Sequence, residues 1–252
     1  MGTKWAGIEG GLIMIAVGGV ANTIVGGCNR ESQIFFRTGV SPMNATGSGW
    51  QHIDGGLKHL SIGPNGSIWG VNSNDEIYVR TGTSPAAPYG TSWQRINGGL
   101  AMLSVGPNCL WGVNRQGEIY FMPNADTPTP SPAWARIDGG LKSVCVSPDG
   151  LFVWGVNAQN QIWIRMGVTA ANPRGTSWEP VDGQAKHVSV GGSGLVWAVG
   201  VDDGVYFREG VSPANPRGTT WHRIDGGLMH LSVGPRGELW GVNSAMAVFL
   251  RQ

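Results

Sequence analysis

One phrase recurs six times along this chain. The stretch WHRIDGGLMHLSVGPRGELWGVN, from Trp221 to Asn243, is a near-copy of WQHIDGGLKHLSIGPNGSIWGVN, from Trp50 to Asn72. Related stretches open at Trp5, Trp93, Trp134 and Trp178, so the anchors recur at intervals of about 41–45 residues. The sixth unit is shorter and runs from Trp221 to Gln252. No segment lies outside the repeat, so a single domain over residues 1–252 is expected.

Each unit reads as four short strands. In the second, LKHLSIG (Leu57–Gly63) alternates with a period of two. GPNG is a turn by composition, and SIWGVN and IYVRTG are rich in strand formers. TSPAAPYG is a loop, and TSWQRI is the fourth strand. No window carries helical periodicity with caps. The 42 glycines and 15 prolines fit many tight turns. Four strands in a unit of this length match the period of a propeller blade. The expectation is an all-β protein, a six-bladed β-propeller of four-stranded antiparallel blades. The sixth unit stops before its fourth strand, and the N-terminal KWAGIEGG corresponds to the fourth-strand segment SWQRINGG. Trp5–Ile8 should therefore pair beside Ala247–Arg251 in the C-terminal blade. That closes the ring and leaves no exposed end blade.

Only 13% of residues are charged and the formal net charge is +1. That balance offers no basic field for nucleic acid and no polybasic patch for a membrane surface. No apolar stretch approaches the roughly 20 residues of a membrane span; GLIMIAVGGVA is too short and aligns with a first strand. Cys28, Cys109 and Cys145 fall at non-equivalent repeat positions, so small core residues with at most one bridge are expected. With Trp5 already in the ring, no signal peptide is read, and a cytoplasmic chain is expected. The alternative is a secreted chain with its leader removed. Asn44-Ala45-Thr46 and Asn65-Gly66-Ser67 match the glycosylation pattern, which matters only if the chain is secreted.

The unit W-x-x-I-D-G-G-L-x-x-L-S-V-G-P-x-G-x-L-W-G-V-N-x-x-x-x-I-Y-x-R resembles the tectonin repeat. It is similar to the repeats of fish egg lectins, tachylectin-1 and the tectonins of fungi and slime moulds. The resemblance covers Trp5 to Arg251 and fixes Trp, Gly-Gly and Trp-Gly-Val-Asn at set offsets. It implies a six-bladed propeller that binds carbohydrate, often on foreign cell surfaces, in innate defence. The glycans it points to are N-acetylglucosamine, lipopolysaccharide sugars or O-methylated sugars. The vertebrate egg lectins are disulfide-bonded secreted proteins, and three cysteines depart from that branch.

A sugar site needs an aromatic face and a few fixed polar groups. Residues repeated in nearly every unit read first as core, above all the five tryptophans of the WGVN strand, Trp69, Trp111, Trp154, Trp197 and Trp240. The WGVN asparagine reads as a turn residue. The arginine of IYVR (Arg37, Arg80, Arg165, Arg208, Arg251; Met122 in the third unit) and the aspartate of IDGG read either as a pair bolting neighbouring strands or, for the arginine, as a hydroxyl donor at a blade seam. The loop before each fourth strand is the more promising place, because binding groups usually sit on loops of a rigid scaffold. The candidates there are Tyr89 with Trp93, Asn172 and Arg174 with Trp178, and Asn215 and Arg217 with Trp221. The third loop, NADTPTPSPAW, lacks the arginine and should be a weak or dead site.

His59, His187 and His230 share one first-strand position, with Met14, Met102 and Ser143 completing the set. Sequence spacing puts them on units two, five and six, and they are not expected to converge as a metal site. No catalytic or cofactor motif occurs: there is no G-x-S-x-G, no H-E-x-x-H and no phosphate loop. Repetition of like residues suits several copies of one binding site, and several weak sites on one ring gain avidity. The expected function is a non-enzymatic, multivalent lectin without metal or cofactor that forms a homo-oligomer at most. A propeller scaffold for protein or phospholipid partners is the alternative.

Overall fold

A computed structural model describes residues 3–84 and 86–252. After β1 (Trp5–Ile8), the first sheet comprises β2 (Met14–Gly18), β3 (Ile24–Cys28), β4 (Ile34–Thr38) and β5 (Gly49–Ile53). The second comprises β6 (His59–Ile62), β7 (Ile68–Val71), β8 (Ile77–Thr81) and β9 (Ser92–Ile96). The third comprises β10 (Met102–Gly106), β11 (Cys109–Val113), β12 (Ile119–Pro123) and β13 (Ala135–Ile137). A seven-stranded sheet follows: β14 (Ser143–Val146), β15 (Val153–Val156), β16 (Gln161–Met166), β17 (Ser177–Val190), β18 (Val196–Gly200), β19 (Gly204–Arg208) and β20 (Trp221–Gly227). The last sheet is β21 (His230–Val233), β22 (Leu239–Val242) and β23 (Val248–Arg251), completed by β1. The molecule is an all-β propeller of four-stranded antiparallel blades.

The N-terminal strand pairs where the repeat requires, with Trp5 opposite Arg251 and Ile8 opposite Val248. The seven-stranded sheet differs from the separate blades expected there. Residues 177–184 of β17 pair with β16 and residues 185–190 with β18, with a register break between Ala185 and His187. Other units bend at a Gly-Gly pair between the fourth strand and the next first strand. Unit five has Gln184 in place of the second glycine, and its chain continues as a strand. The first glycine is indispensable for a second reason. At Gly55, φ is +100°, and a Cβ would lie 2.9 Å from the indole nitrogen of Trp93 in the next unit.

β2, β6, β10, β14, the second half of β17, and β21 surround one narrow axial cavity of about 50 Å³. Each is an inner edge strand, with backbone N–H groups that no further strand can pair. The neighbouring unit supplies the acceptors. The hydroxyls of Ser61, Ser104, Ser189 and Ser232 accept from the N–H groups of Val105, Val146, Val233 and Val17 at 3.0–3.1 Å. Cys145 stands at the serine position of its unit, and its Sγ accepts from the Val190 N–H at 3.3 Å. Ala16 occupies that position in the first unit and has no acceptor to offer Ile62.

Apolar clusters fill the spaces between neighbouring sheets. Trp69, Trp111, Trp154, Trp197 and Trp240 are all buried in them, as their recurrence suggested. All three cysteines are free. Burial pushes the thiols of Cys28 and Cys109 up to about 12, which leaves them inert core groups.

Candidate functional site

The tryptophan that opens each unit sits half-buried at a seam between units. Its indole N–H donates to the carbonyl of the residue before the first glycine of the preceding unit. Trp93 reaches Asp54 at 2.8 Å, and Trp178 and Trp221 reach Asp138 and Asp182 at 2.9 Å. The strand arginine lies over the same ring: Arg80 is 5.1 Å from the Trp93 centroid, Arg165 5.4 Å from that of Trp178, and Arg208 5.2 Å from that of Trp221. The guanidinium also meets the preceding unit's carboxylate, as in Arg80–Asp54 at 2.8 Å and Arg208–Asp182 at 2.7 Å. Hydrogen bonds from these arginines hold Asp54 and Asp182 below the usual carboxylate range. The repeated pair is therefore a bolt. At the seam between units three and four, where Trp134 donates to Asn97 O, both charges disappear together: Met122 replaces the arginine and Asn97 the aspartate. The long third loop covers that seam, with the Asn97 N–H donating to Pro130 O and the Asn97 amide to Ser131 Oγ.

The loops before the fourth strands are tightly built. The Asn172 and Asn215 side chains donate back to Gly167 O and Gly210 O, and their own backbone N–H groups are capped by Thr169 and Ser212. Tyr89 turns inward, stacks on Phe36 at 4.8 Å, and donates its hydroxyl to Arg37 O. Arg174 and Arg217 are exposed. Arg217 reaches across the seam to Glu179 at 3.4 Å, beside Trp178. Unit four, which opens at Trp134, has Ala135 at the position of Glu179, and the Arg174 guanidinium has no ion-pair partner among the described residues. The groups these loops leave for a ligand are the tryptophan faces and the two guanidiniums.

Two equivalent concavities open beside these tryptophans. One, of about 230 Å³, lies between Gly55-Gly56, Asn72, Tyr78 and Trp93. The other, of about 380 Å³, lies between Gly183-Gln184, Asp202, Tyr206 and Trp221. Tyr78 and Tyr206 face them from the start of the third strand, a position left out of the sequence-derived set. Their hydroxyls donate to Glu76 and Asp202, each at 3.2 Å. The Asn72 amide donates to the same Glu76 carboxylate at 2.7 Å, and Arg95 pairs with it at 2.9 Å. The Asn72 bond leads in holding Glu76 low, and the Gly204 N–H leads for Asp202. Burial, followed by Glu76, raises the Tyr78 phenol. Unit three repeats the arrangement with Asn114, Glu118, Tyr120 and Arg136. Units one, four and six carry Phe35, Trp163 and Phe249 instead, with Gln33, Gln161 and Ala247 at the carboxylate position. The sequence signal was an acidic residue a few positions before the tyrosine in units two, three and five only.

The axial histidines correct the sequence-based expectation, because they do converge. His187 and His230 stack at 4.2 Å, and His59 lines the same cavity. Closing the sheets into a ring brings first-strand residues together from distant units. His187 Nε2–H donates to Leu231 O at 3.0 Å, and His230 Nδ1 accepts from the Ile15 N–H. Burial pushes His59 down to about 3 and His187 to about 4, so the rings are neutral. Among the described residues no group of three or more His, Cys, Asp or Glu side chains is arranged to hold a metal. No helix is long and apolar enough to cross a membrane.

Comparison with known proteins fits this architecture. The chain is 37% identical over 70 residues to a fish-egg lectin of Cyprinus carpio, covering 27% of this chain and 29% of that protein. It is 31% identical over 84 residues to tectonin beta-propeller repeat-containing protein 2 of Homo sapiens, covering 29% of this chain and 6% of that protein. The chain thus matches under a third of the length of either relative. Among solved structures, a chain of the mitotic checkpoint complex superposes with a TM-score of 0.64 at 10% identity, over 100% of this chain and 94% of that one. The β-propeller domain of Cps50 (Swd1) from Myceliophteria thermophila superposes with a TM-score of 0.57 at 10% identity, over 94% and 82%. Those likenesses concern the propeller fold alone. The tectonin domain pattern matches residues 1–186 and 176–252, which together span the chain. The chain belongs to the tectonin domain family.

Proposed function

We propose that this protein is a multivalent lectin that recognises glycans on foreign cell surfaces in innate defence. In this reading the ring counts six blades, the seven-stranded sheet being two blades joined through β17. The observation that carries the reading is the pair of equivalent concavities at Tyr78/Trp93 and Tyr206/Trp221. Each offers aromatic surface to the apolar side of a pyranose, beside a carboxylate already fixed by hydrogen bonds. Trp178 extends the set, and Arg174 and Arg217 are the rim donors to sugar hydroxyls. Tyr89, Asn172 and Asn215 hold the loops that carry those donors. N-acetylglucosamine, lipopolysaccharide sugars and O-methylated sugars are the candidate ligands. Three free thiols without a bridge suit a cytoplasmic location.

A glycan array tests the reading, followed by monovalent sugar titration of Arg174→Ala, Arg217→Ala and the double variant. Each replacement should weaken one class of site by about 1–3 kcal/mol, the scale of a hydrogen bond to a charged donor. Binding to a dense glycan surface should fall further through lost avidity. Absence of any bound glycan at high protein concentration would favour a scaffold for protein or phospholipid partners instead. Unchanged titration of the double variant would confine the loops to a structural role.

A further inference from the structure

The seam between the last unit and the first holds a cavity of about 490 Å³, within the range of small-molecule sites. Its walls are mainly apolar, with Val40, Pro42 and Ala45 on the first-unit loop and Trp240 and Leu250 on the last unit. The polar groups at its rim answer one another. Glu238 Oε1 accepts from the Arg236 Nε–H at 3.0 Å and from the Thr23 hydroxyl at 2.7 Å. A charged ligand would exchange its hydration for apolar wall, so the cavity favours an uncharged one.

The next seam shows which uncharged group belongs in such a place. There the loop of unit two carries Tyr89. Its ring stacks on Phe36, with centroids 4.8 Å apart, and its hydroxyl donates to Arg37 O at 3.0 Å. The gap is thus closed by a phenol that uses one apolar floor and one backbone acceptor. Along the repeat, Phe36, Arg37 and Tyr89 correspond to Leu250, Arg251 and Thr46. Leu250 is buried and keeps the floor apolar. The Arg251 side chain turns to the other face of its sheet, towards Trp5 and Trp197, so Arg251 borders the cavity through its main chain. Thr46 carries no ring, and its hydroxyl turns back to Asn44 Oδ1 at 3.1 Å. Floor and acceptor persist at this seam, and the plug does not.

We propose that this cavity is a tyrosine socket that binds a small free phenol, its ring on Leu250 as Tyr89 lies on Phe36, and its hydroxyl donating to Arg251 O. An apolar cavity where a ring is missing takes a free ring of matching shape. The volume leaves room for a short alkyl chain para to the hydroxyl, against Val40 and Pro42. A sugar would set its hydroxyls against these walls. The site is distinct from the repeated concavities and does not depend on the sugar reading.

Calorimetric titration of the chain with 4-propylphenol, 4-propylanisole and 4-hydroxybenzoate tests this. 4-Propylphenol should saturate one site per chain. 4-Propylanisole, which cannot donate, should bind about fivefold more weakly, and the charged 4-hydroxybenzoate about tenfold or more weakly. Thr46→Tyr, which copies the plug of the next seam, should abolish 4-propylphenol binding without lowering Tm. Tyr89→Ala should open the same socket over Phe36 and raise the stoichiometry from one to two. If Tyr89→Ala does not fold, Thr46→Tyr and the ligand series decide. No saturable 4-propylphenol binding, equal or tighter binding of either analogue, unchanged binding in Thr46→Tyr, or a single site in folded Tyr89→Ala would each overturn the proposal.

Discussion

Replacing Ala16 with serine should stabilise the ring. Five of the six first-strand segments around the axis donate one equivalent backbone N–H to a side-chain acceptor of the unit before. Ile62 is the sixth, and it faces Ala16, which is 5% exposed and carries no acceptor. A serine Oγ there would take the place that Ser61 Oγ has towards the Val105 N–H, 3.1 Å away. A net hydrogen bond contributes about 0.5–1.5 kcal/mol. For a chain of this length that corresponds to a Tm rise of about 1–4 °C. The converse, Ser104→Ala, leaves the buried Val146 N–H without its 3.0 Å acceptor and should cost more, about 1–3 kcal/mol. Thermal melts at one scan rate, backed by urea titration, give both numbers. The two substitutions must move Tm in opposite directions. A fall for Ala16→Ser, or no change for Ser104→Ala, would refute the account of the inner edge.

The seam bolt predicts coupling: Asp182→Asn alone leaves the Arg208 guanidinium half-paired and should destabilise by about 1–3 kcal/mol. Adding Arg208→Met, as in the Asn97–Met122 seam, should recover part of the loss, and a double-mutant cycle by urea titration that shows simple additivity would count against it. The axial histidines predict acid sensitivity. Their folded pKa values lie below the ordinary 6.5, so below that value the unfolded chain binds more protons. Their contribution is intact above pH 6.5 and is lost as pH falls from there through about 4 for His187 and about 3 for His59. His59→Met, which copies Met102, should flatten the Tm-versus-pH curve between pH 6.5 and 4; an unchanged slope speaks against the axial cluster as its source. Deleting residues 1–9 removes β1 and its pairing with β23, and should lower Tm sharply; a deletion variant that melts like the parent excludes ring closure through that strand.

Much of the fold was legible because the repeat states it six times. Strand alternation, glycine-rich turns and the displaced fourth strand are local or pairwise signals, and they located β1 beside β23. The WGVN tryptophans were readable as core because a residue kept in five units answers a packing need common to all. The aspartate and arginine also signalled their pairing, by recurring together and by vanishing together at Asn97 and Met122. The sugar-site candidates were harder to place. Tyr89, Asn172 and Asn215 look like donors in the sequence, but in the folded loop their polar atoms are satisfied by backbone carbonyls. Tyr78 and Tyr206 look like strand formers, and only the neighbouring Gly-Gly bend and the tryptophan give them a concavity to face.

The sequence by itself determined the class, the repeat, the strand order and which strands meet at the ends, because hydrogen-bond ladders and alternation are encoded locally. Tertiary structure alone decided what meets across the ring. Histidines far apart in sequence stack on the axis because closure brings every first strand to one line. Unit five fuses two blades because Gln184 stands in place of the second glycine of the bend. A side chain's chemistry is written at its own position, but its partners are set by where the closed ring places its neighbours.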